Sequence, residues 1–108
     1  MLAATLDAET EGTDCRFTLT VENTGDEEVT LSFRNGQRAE FVASADGDEV
    51  WRWSQGQMFT QVLSAETVEP GQRVTYEGIW ENPASGTYDC RGEVAADVDV
   101  AAETTVSV

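Results

Sequence analysis

The segment from Val50 to Gln61, with the sequence VWRWSQGQMFTQ, holds the side chains best suited to recognition. It contains two of the three tryptophans, two positions apart, followed by a small polar turn and a Met-Phe pair. Large amphipathic side chains beside a turn are what a recognition loop requires. They are also what the edge of a β-sandwich core contains, so the segment alone leaves binding and packing open.

Carboxylates are the other groups with chemical potential, and no arrangement of them predicts catalysis. Asp97 with Asp99, or Glu27 with Glu28, could supply the two carboxyl groups of a glycosidase, but nothing marks one pair among 21 acidic residues. The DGDE run at 46–49 resembles part of a calcium loop but lacks the remaining EF-hand spacing. We therefore expect no enzyme, no cofactor and no metal ion, and a solvated hairpin tip at 46–49.

Histidine is absent from the chain, which limits the chemistry further. Ser-His-Asp and Cys-His catalysis, a histidine zinc site and a histidine pH switch are excluded. Cys15 and Cys90 are too few for a structural zinc site. Both lie on strand faces that carry core residues. We expect two buried free thiols, with an inter-sheet disulfide as the alternative.

The charge of the chain is strongly negative, with 21 acidic residues against 6 basic ones, all arginine, and a net charge of -15. The regular apolar pattern argues against a disordered acidic chain. The carboxylates are scattered rather than aligned, unlike those of a DNA mimic or of a protein built to bind a basic partner. Dense carboxylates keep a protein hydrated at high salt, where the Debye length is only about 3 Å at 1 M and repulsion is screened. The composition therefore predicts a halophile.

Apolar and polar residues alternate through most of the chain, with turn residues about every 8 to 12 positions, which is typical of an all-β sandwich or barrel. Tyr88, two positions before Cys90, fits the tyrosine corner of immunoglobulin-like domains. We predict one domain, residues 1–108, folded as an immunoglobulin-like antiparallel β-sandwich of about eight strands. The predicted strands lie near 15–21, 29–33, 41–45, 50–53, 74–80, 88–94 and 104–108.

The Asp-Gly pair at 46–47 is a strong hairpin signal, because both residues tolerate positive φ. A two-residue turn there would place Trp51 and Trp53 on the face opposite Phe41 and Val50. Both faces would then carry large side chains, so the pattern leaves the burial of the tryptophans open.

The chain shows no targeting or membrane signal. Its first residues include neither a basic region nor a long apolar one, and no run of 18 apolar residues occurs. We therefore expect a cytoplasmic monomer that binds neither membranes nor nucleic acid.

Several short runs together resemble the BsuPI-type intracellular proteinase inhibitors. The most specific are W-R-W-S from Trp51 and F-T-Q from Phe59, supported by E-P-G at 69–71 and G-T-Y at 86–88. The resemblance extends from about Thr18 to Val94. It implies a small β-sandwich that inhibits an intracellular subtilisin-type serine proteinase.

Substrate-like inhibition is our hypothesis for the mechanism, and the contact residues follow from the residue types in the loop rather than from the resemblance. An exposed loop would enter the proteinase cleft in extended form and pair with an edge of the enzyme. Met58 or Phe59 would fill an apolar specificity pocket, and Gly56 would allow the turn. The predicted contact residues are Trp53, Ser54, Gln55, Gly56, Gln57, Met58 and Phe59.

Two other functions and one other loop remain open from the sequence. The loop Asn82–Ser85 is the alternative contact site. The chain could also be a non-inhibitory immunoglobulin-like interaction module, or an acidic domain with a small-molecule or calcium site.

Overall fold

All regular elements of the protein are β-strands. The computed structural model describes residues 1–108, and its strands are β1 (Leu2–Glu11), β2 (Asp14–Asn23), β3 (Val29–Phe33), β4 (Ala39–Ala45), β5 (Asp48–Arg52), β6 (Ser64–Val68), β7 (Arg73–Trp80), β8 (Thr87–Val94) and β9 (Ala101–Ser107). They form a sheet of order β1-β2-β7, a sheet of order β5-β4-β8-β9 and a ribbon of β3 with β6, all antiparallel. The predicted all-β, immunoglobulin-like sandwich is confirmed. No helix long and apolar enough to cross a membrane is present.

β2 illustrates how the alternating pattern builds the sandwich. Every second residue from Cys15 to Asn23 is buried, while the residues between them are partly exposed. Successive side chains of a strand point to opposite faces, so this pattern turns one face toward the core. β2 pairs with β1 on one side and β7 on the other, which makes it the centre of its sheet.

Two strands, β1 and β6, are not predicted by the alternation. β1 consists largely of Ala, Thr and acidic residues and fully buries only Leu6, and β6 fully buries only Val68. Alanine and threonine give little contrast between the two faces of a strand. The partners β2 and β3, rather than the local pattern, therefore determine these strands.

An aromatic stack joins the two larger sheets. Phe17 of β2 stacks on Phe41 of β4 with ring centroids 5.7 Å apart, and on Trp51 of β5 at 5.6 Å. Trp51 also stacks on Trp80 of β7 at 5.2 Å. Stacked rings at these separations are favourable beyond the area that they bury. Trp51 and Trp80 therefore belong to the scaffold.

The β4–β5 turn has the predicted length, but the predicted register beyond it is wrong. Residues 46–47 both have positive φ, 52° and 84°, as a type I′ turn requires. A β-bulge then shifts the pairing, so that Ala43 faces Trp51 instead of Val50. Because one extra residue reverses the faces beyond it, Trp51 joins Phe41 on the core side and Val50 is 51% exposed. Burying the larger indole is the physical reason that favours the bulge.

Tyr88 forms the predicted tyrosine corner. Its hydroxyl donates a hydrogen bond to the carbonyl oxygen of Ala84 at 2.7 Å, and its ring is buried. This bond fixes the loop that precedes β8 to the body of the sandwich.

The two cysteines are buried free thiols. Burial raises the pKa of both, to about 11 for Cys90. Since the thiolate is the reactive form, Cys15 and Cys90 act as small core residues.

Candidate functional site

The loop between β5 and β6, residues 53–63, contains all the predicted contact residues. We call it the β5–β6 loop. No charged residue occurs from Trp53 to Ala65, and no other uncharged stretch of the sequence is as long. The net charge of the chain is -15, so most of its surface repels an acidic partner. This repulsion is weakest at the uncharged β5–β6 loop.

Trp53 begins the loop and is half-buried against the core. Its N–H donates to the carbonyl oxygen of Phe41 at 2.9 Å, which extends the β4–β5 pairing by one residue. Its ring meets that of Phe41 edge-on, with centroids 6.4 Å apart and planes at 87°. The uncovered side of the indole lines a shallow cavity of about 310 Å³, together with Arg38, Tyr76 and other residues. Trp53 is therefore a scaffold residue with one open side.

Glu40, a buried residue that the sequence did not mark as functional, fixes the start of the loop. Its Oε1 accepts hydrogen bonds from the N–H groups of Phe41 at 3.1 Å and Ser54 at 3.0 Å. Its Oε2 accepts from Gln37 Nε2 at 3.3 Å and pairs with Arg52 Nη1 at 3.5 Å. Buried carboxylates are rare unless paired in this way. The available sequence signal was a single acidic residue within a strand of mostly small and apolar residues.

The predicted turn after Trp53 is present and is closed by its own hydrogen bonds. The N–H of Gln55 donates to Arg52 O at 3.1 Å, and the N–H of Gln57 donates to Ser54 O at 3.0 Å. Gly56 has a positive φ, 82°, which agrees with the prediction that this glycine allows the turn. The turn is exposed from Gln55 to Gln57, but its backbone is folded back on itself.

Phe59 and Thr60 form a second anchor in the middle of the loop. The Phe59 ring packs on Trp53 with centroids 5.7 Å apart. Thr60 O accepts a hydrogen bond from Gly36 N at 2.8 Å. A Cβ at position 36 would lie 2.8 Å from Thr60 Oγ1 and 3.3 Å from Thr60 N, so a side chain there would force Thr60 to shift. Phe59 is thus a packing residue as well as a predicted contact.

Three large apolar side chains of the loop are exposed: Met58 by 97%, Val62 by 63% and Leu63 by 79%. From Met58 to Leu63, the only backbone–backbone hydrogen bond is the one that Thr60 accepts. Val62 and Leu63 lie outside the predicted contact residues. The sequence feature that could have indicated them is the uncharged stretch, which continues past Phe59. This part of the loop combines exposed apolar side chains with free N–H and C=O groups.

The sequence from residue 2 to residue 98 matches BsuPI, a family described as intracellular proteinase inhibitors. The chain belongs to the BsuPI family. The match covers β1 to β8 and the whole β5–β6 loop, so the family resemblance predicted from the W-R-W-S and F-T-Q runs is confirmed. A BsuPI-family protein is a proteinase inhibitor and not itself an enzyme.

Similar solved structures agree on the fold of this BsuPI-family chain. The β-glucosidase from Kluyveromyces marxianus matches with a TM-score of 0.57 and 14% identity, over 100% of this chain and 14% of the enzyme. A CARDB domain from Pyrococcus furiosus, solved in complex with di-metal ions, matches with a TM-score of 0.53 and 13% identity, over 100% and 92% of the two chains. At such low identity the likeness extends to the fold alone. No curated protein sequence matches the chain.

The alternative contact loop of this BsuPI-family protein, Asn82–Ser85, offers little apolar area. It is largely exposed but carries only small, polar and proline side chains. It is also tied down, because Ala84 accepts the Tyr88 hydroxyl and the N–H of Asn82 donates to Asp14 Oδ1 at 3.2 Å.

The acidic hairpin tip at 46–49 faces solvent. Glu49 pairs with Arg52 at 2.7 Å, and this hydrogen bond lowers the pKa of Glu49. The structure contains no group of three or more acidic or cysteine side chains that could hold a metal ion.

Proposed function

We propose that this BsuPI-family chain inhibits an intracellular subtilisin-type serine proteinase through its β5–β6 loop, as a monomer in the cytoplasm. The main support for the proposal is that Met58, Val62 and Leu63 are exposed within the longest uncharged stretch of a strongly acidic chain. Clustered apolar side chains that the fold leaves exposed are typical of binding surfaces. They suit a proteinase cleft whose specificity pocket takes large apolar groups.

The anchoring of the loop supports inhibition in particular. Glu40 holds Ser54 at its start, and Gly36 holds Thr60 in its middle. A loop that is already ordered loses less conformational freedom when it binds, so more of the contact energy remains as affinity.

A high-salt cytoplasm is the setting that we propose for this encounter. Arginines pair with only six carboxylates, Glu11, Glu22, Glu40, Glu49, Glu93 and Glu103, which leaves most of the 21 acidic residues unpaired. At low salt they would repel an acidic proteinase from the same cytoplasm. At molar salt the repulsion is screened and apolar contact dominates. Inhibition should therefore strengthen as salt rises.

Titration of a salt-tolerant subtilisin-type proteinase with the purified protein in molar KCl tests the proposal. We expect inhibition at micromolar concentration or below, and a fall in Ki as KCl increases. A cysteine proteinase and a metalloproteinase serve as controls and should keep full activity. Full activity of the subtilisin-type enzyme with a folded chain would contradict the proposal. Inhibition that weakens at high salt, with the domain still folded, would contradict an apolar interface.

A further inference from the structure

The two parts of the β5–β6 loop differ in what their backbone can offer a proteinase. Substrate-like binding requires an extended segment whose N–H and C=O groups pair with an edge of the enzyme. The turn from Ser54 to Gln57 does not meet this requirement, because two internal hydrogen bonds and the positive φ of Gly56 fold it back. Residues 61–63 make no backbone–backbone hydrogen bond and have no positive φ.

Residues 61–63 are also held at both ends. Thr60 is bonded to Gly36 on one side, and Ser64 pairs with Phe33 on the other. The segment between them leads directly into β6, and Leu63 lines a cavity with Arg34 and Asn35. β6 itself has a hydrogen-bonded neighbour on one side only, namely β3. The free backbone of 61–63 is thus continuous with a strand edge.

The side chains of this segment fit an apolar pocket better than those before it. Leu63 is 79% exposed and lines one wall of a shallow cavity of about 360 Å³, together with Phe33, Ala96 and other residues. Phe59 is unavailable because its ring packs on Trp53. Met58 is exposed but lies between the closed turn and the packed Phe59 ring, so the residues on both sides of it are held by the fold.

We infer that Gln61-Val62-Leu63 is the segment that enters the cleft, and that Leu63 fills the specificity pocket. The inference rests on the proposed function and narrows it. The target is then a proteinase that cleaves after large aliphatic residues. The bond presented to the catalytic serine is Leu63–Ser64. Its slow hydrolysis consumes one water, leaving a carboxylate on Leu63 and an amino group on Ser64.

Matched variants at the two exposed positions test this inference. Leu63→Asp and Met58→Asp each place one new charge on a solvent-facing side chain, so both should keep the thermal midpoint of the wild type. We expect Leu63→Asp to raise Ki about 100-fold, whereas Met58→Asp, at the rim of the same exposed surface, should raise it only about fivefold. Leu63→Met should keep Ki within about tenfold of the wild type, because it preserves an apolar side chain of similar volume.

The outcomes separate this inference from the proposed function. No inhibition by the wild type refutes both. Inhibition by the wild type that Met58→Asp abolishes and Leu63→Asp preserves overturns the inference and leaves the function standing. Inhibition that both variants preserve likewise overturns the inference and leaves the function standing. Intact-mass analysis after long incubation with the enzyme should give fragments 1–63 and 64–108, and a first cut within 54–59 would also overturn it.

Discussion

Residues 51–54 and 58–63, on either side of the closed turn at 55–57, form two halves with opposite construction. In the anchored half, residues 51–54, Trp51 lies in the aromatic stack and the backbone of Trp53 and Ser54 is bonded to Phe41 and Glu40. In the exposed half, residues 58–63, three apolar side chains face solvent and the backbone is almost unbonded. The aromatic motif that identifies the family therefore belongs mainly to the scaffold, while the surface available to a partner follows it in the chain.

The largest effect should come from truncating the anchored half. Trp51→Ala removes the ring between Phe17 and Trp80 and should lower the free energy of unfolding by about 3–5 kcal/mol. Urea denaturation in molar KCl measures this change. Met58→Ala is the control in the exposed half and should stay within about 0.5 kcal/mol of the wild type. Equal losses of stability in the two variants would show that the anchored half contributes no more to the packing of the domain than the exposed half does.

A smaller effect should come from the joint between the two halves. Glu40→Ala leaves the N–H groups of Phe41 and Ser54 without their acceptor and removes one of the two carboxylate partners of Arg52, and should cost about 1–3 kcal/mol. Amide exchange at Ser54 should quicken, and Ki should rise although the exposed half is unaltered in sequence. Glu49→Ala, which removes an exposed partner of Arg52, is the control. A Glu40→Ala protein with wild-type Ki would show that this anchor does not position the contact surface.

The smallest effect should be a loss of stability at alkaline pH. Burial raises the pKa of Cys90 to about 11 from its ordinary value of 9.0. Because the pKa of the thiol is higher in the folded state than in the unfolded state, burial of the neutral thiol contributes to stability. This contribution to the free energy of unfolding is complete below pH 9 and is lost as the pH rises through 11. We expect a fall of roughly 1–2 kcal/mol in the free energy of unfolding between these values. The exposed half carries no ionisable side chain, so the effect belongs to the core.

Urea midpoints at several pH values check this titration. The Cys90→Ala protein provides the comparison, because it lacks the titrating thiol. Its stability should decline less between pH 9 and 11. The same decline in both proteins would assign the loss to other groups.

The fold could be predicted from the sequence wherever alternation was strong, as in β2 and β8. It could not be predicted for β1 and β6, since their small and polar residues mark neither face. The register of β5 failed for a related reason. Periodicity cannot reveal a bulge, and the bulge at Val50 is determined by the packing of Trp51 against residues distant in sequence.

The candidate loop could be predicted, but its division into two halves could not. The aromatic cluster and Gly56 indicated the turn correctly. The anchors at Glu40 and Gly36 were hidden, because they join the loop to residues more than ten positions away. The exposure of Val62 and Leu63 depends on the strands that leave them uncovered, and only the absence of charge as far as Ala65 pointed to them.

The most direct measurement is the Ki of a variant in which only the exposed half is made polar. Met58→Ser, Val62→Ser and Leu63→Ser together should raise Ki for a subtilisin-type proteinase by about 100-fold or more in molar KCl, with an unchanged thermal midpoint. A protein carrying Gln55→Ser and Gln57→Ser in the closed turn should keep the wild-type Ki. If the triple variant instead inhibits as well as the wild type, the exposed half of the β5–β6 loop is not the inhibitory surface.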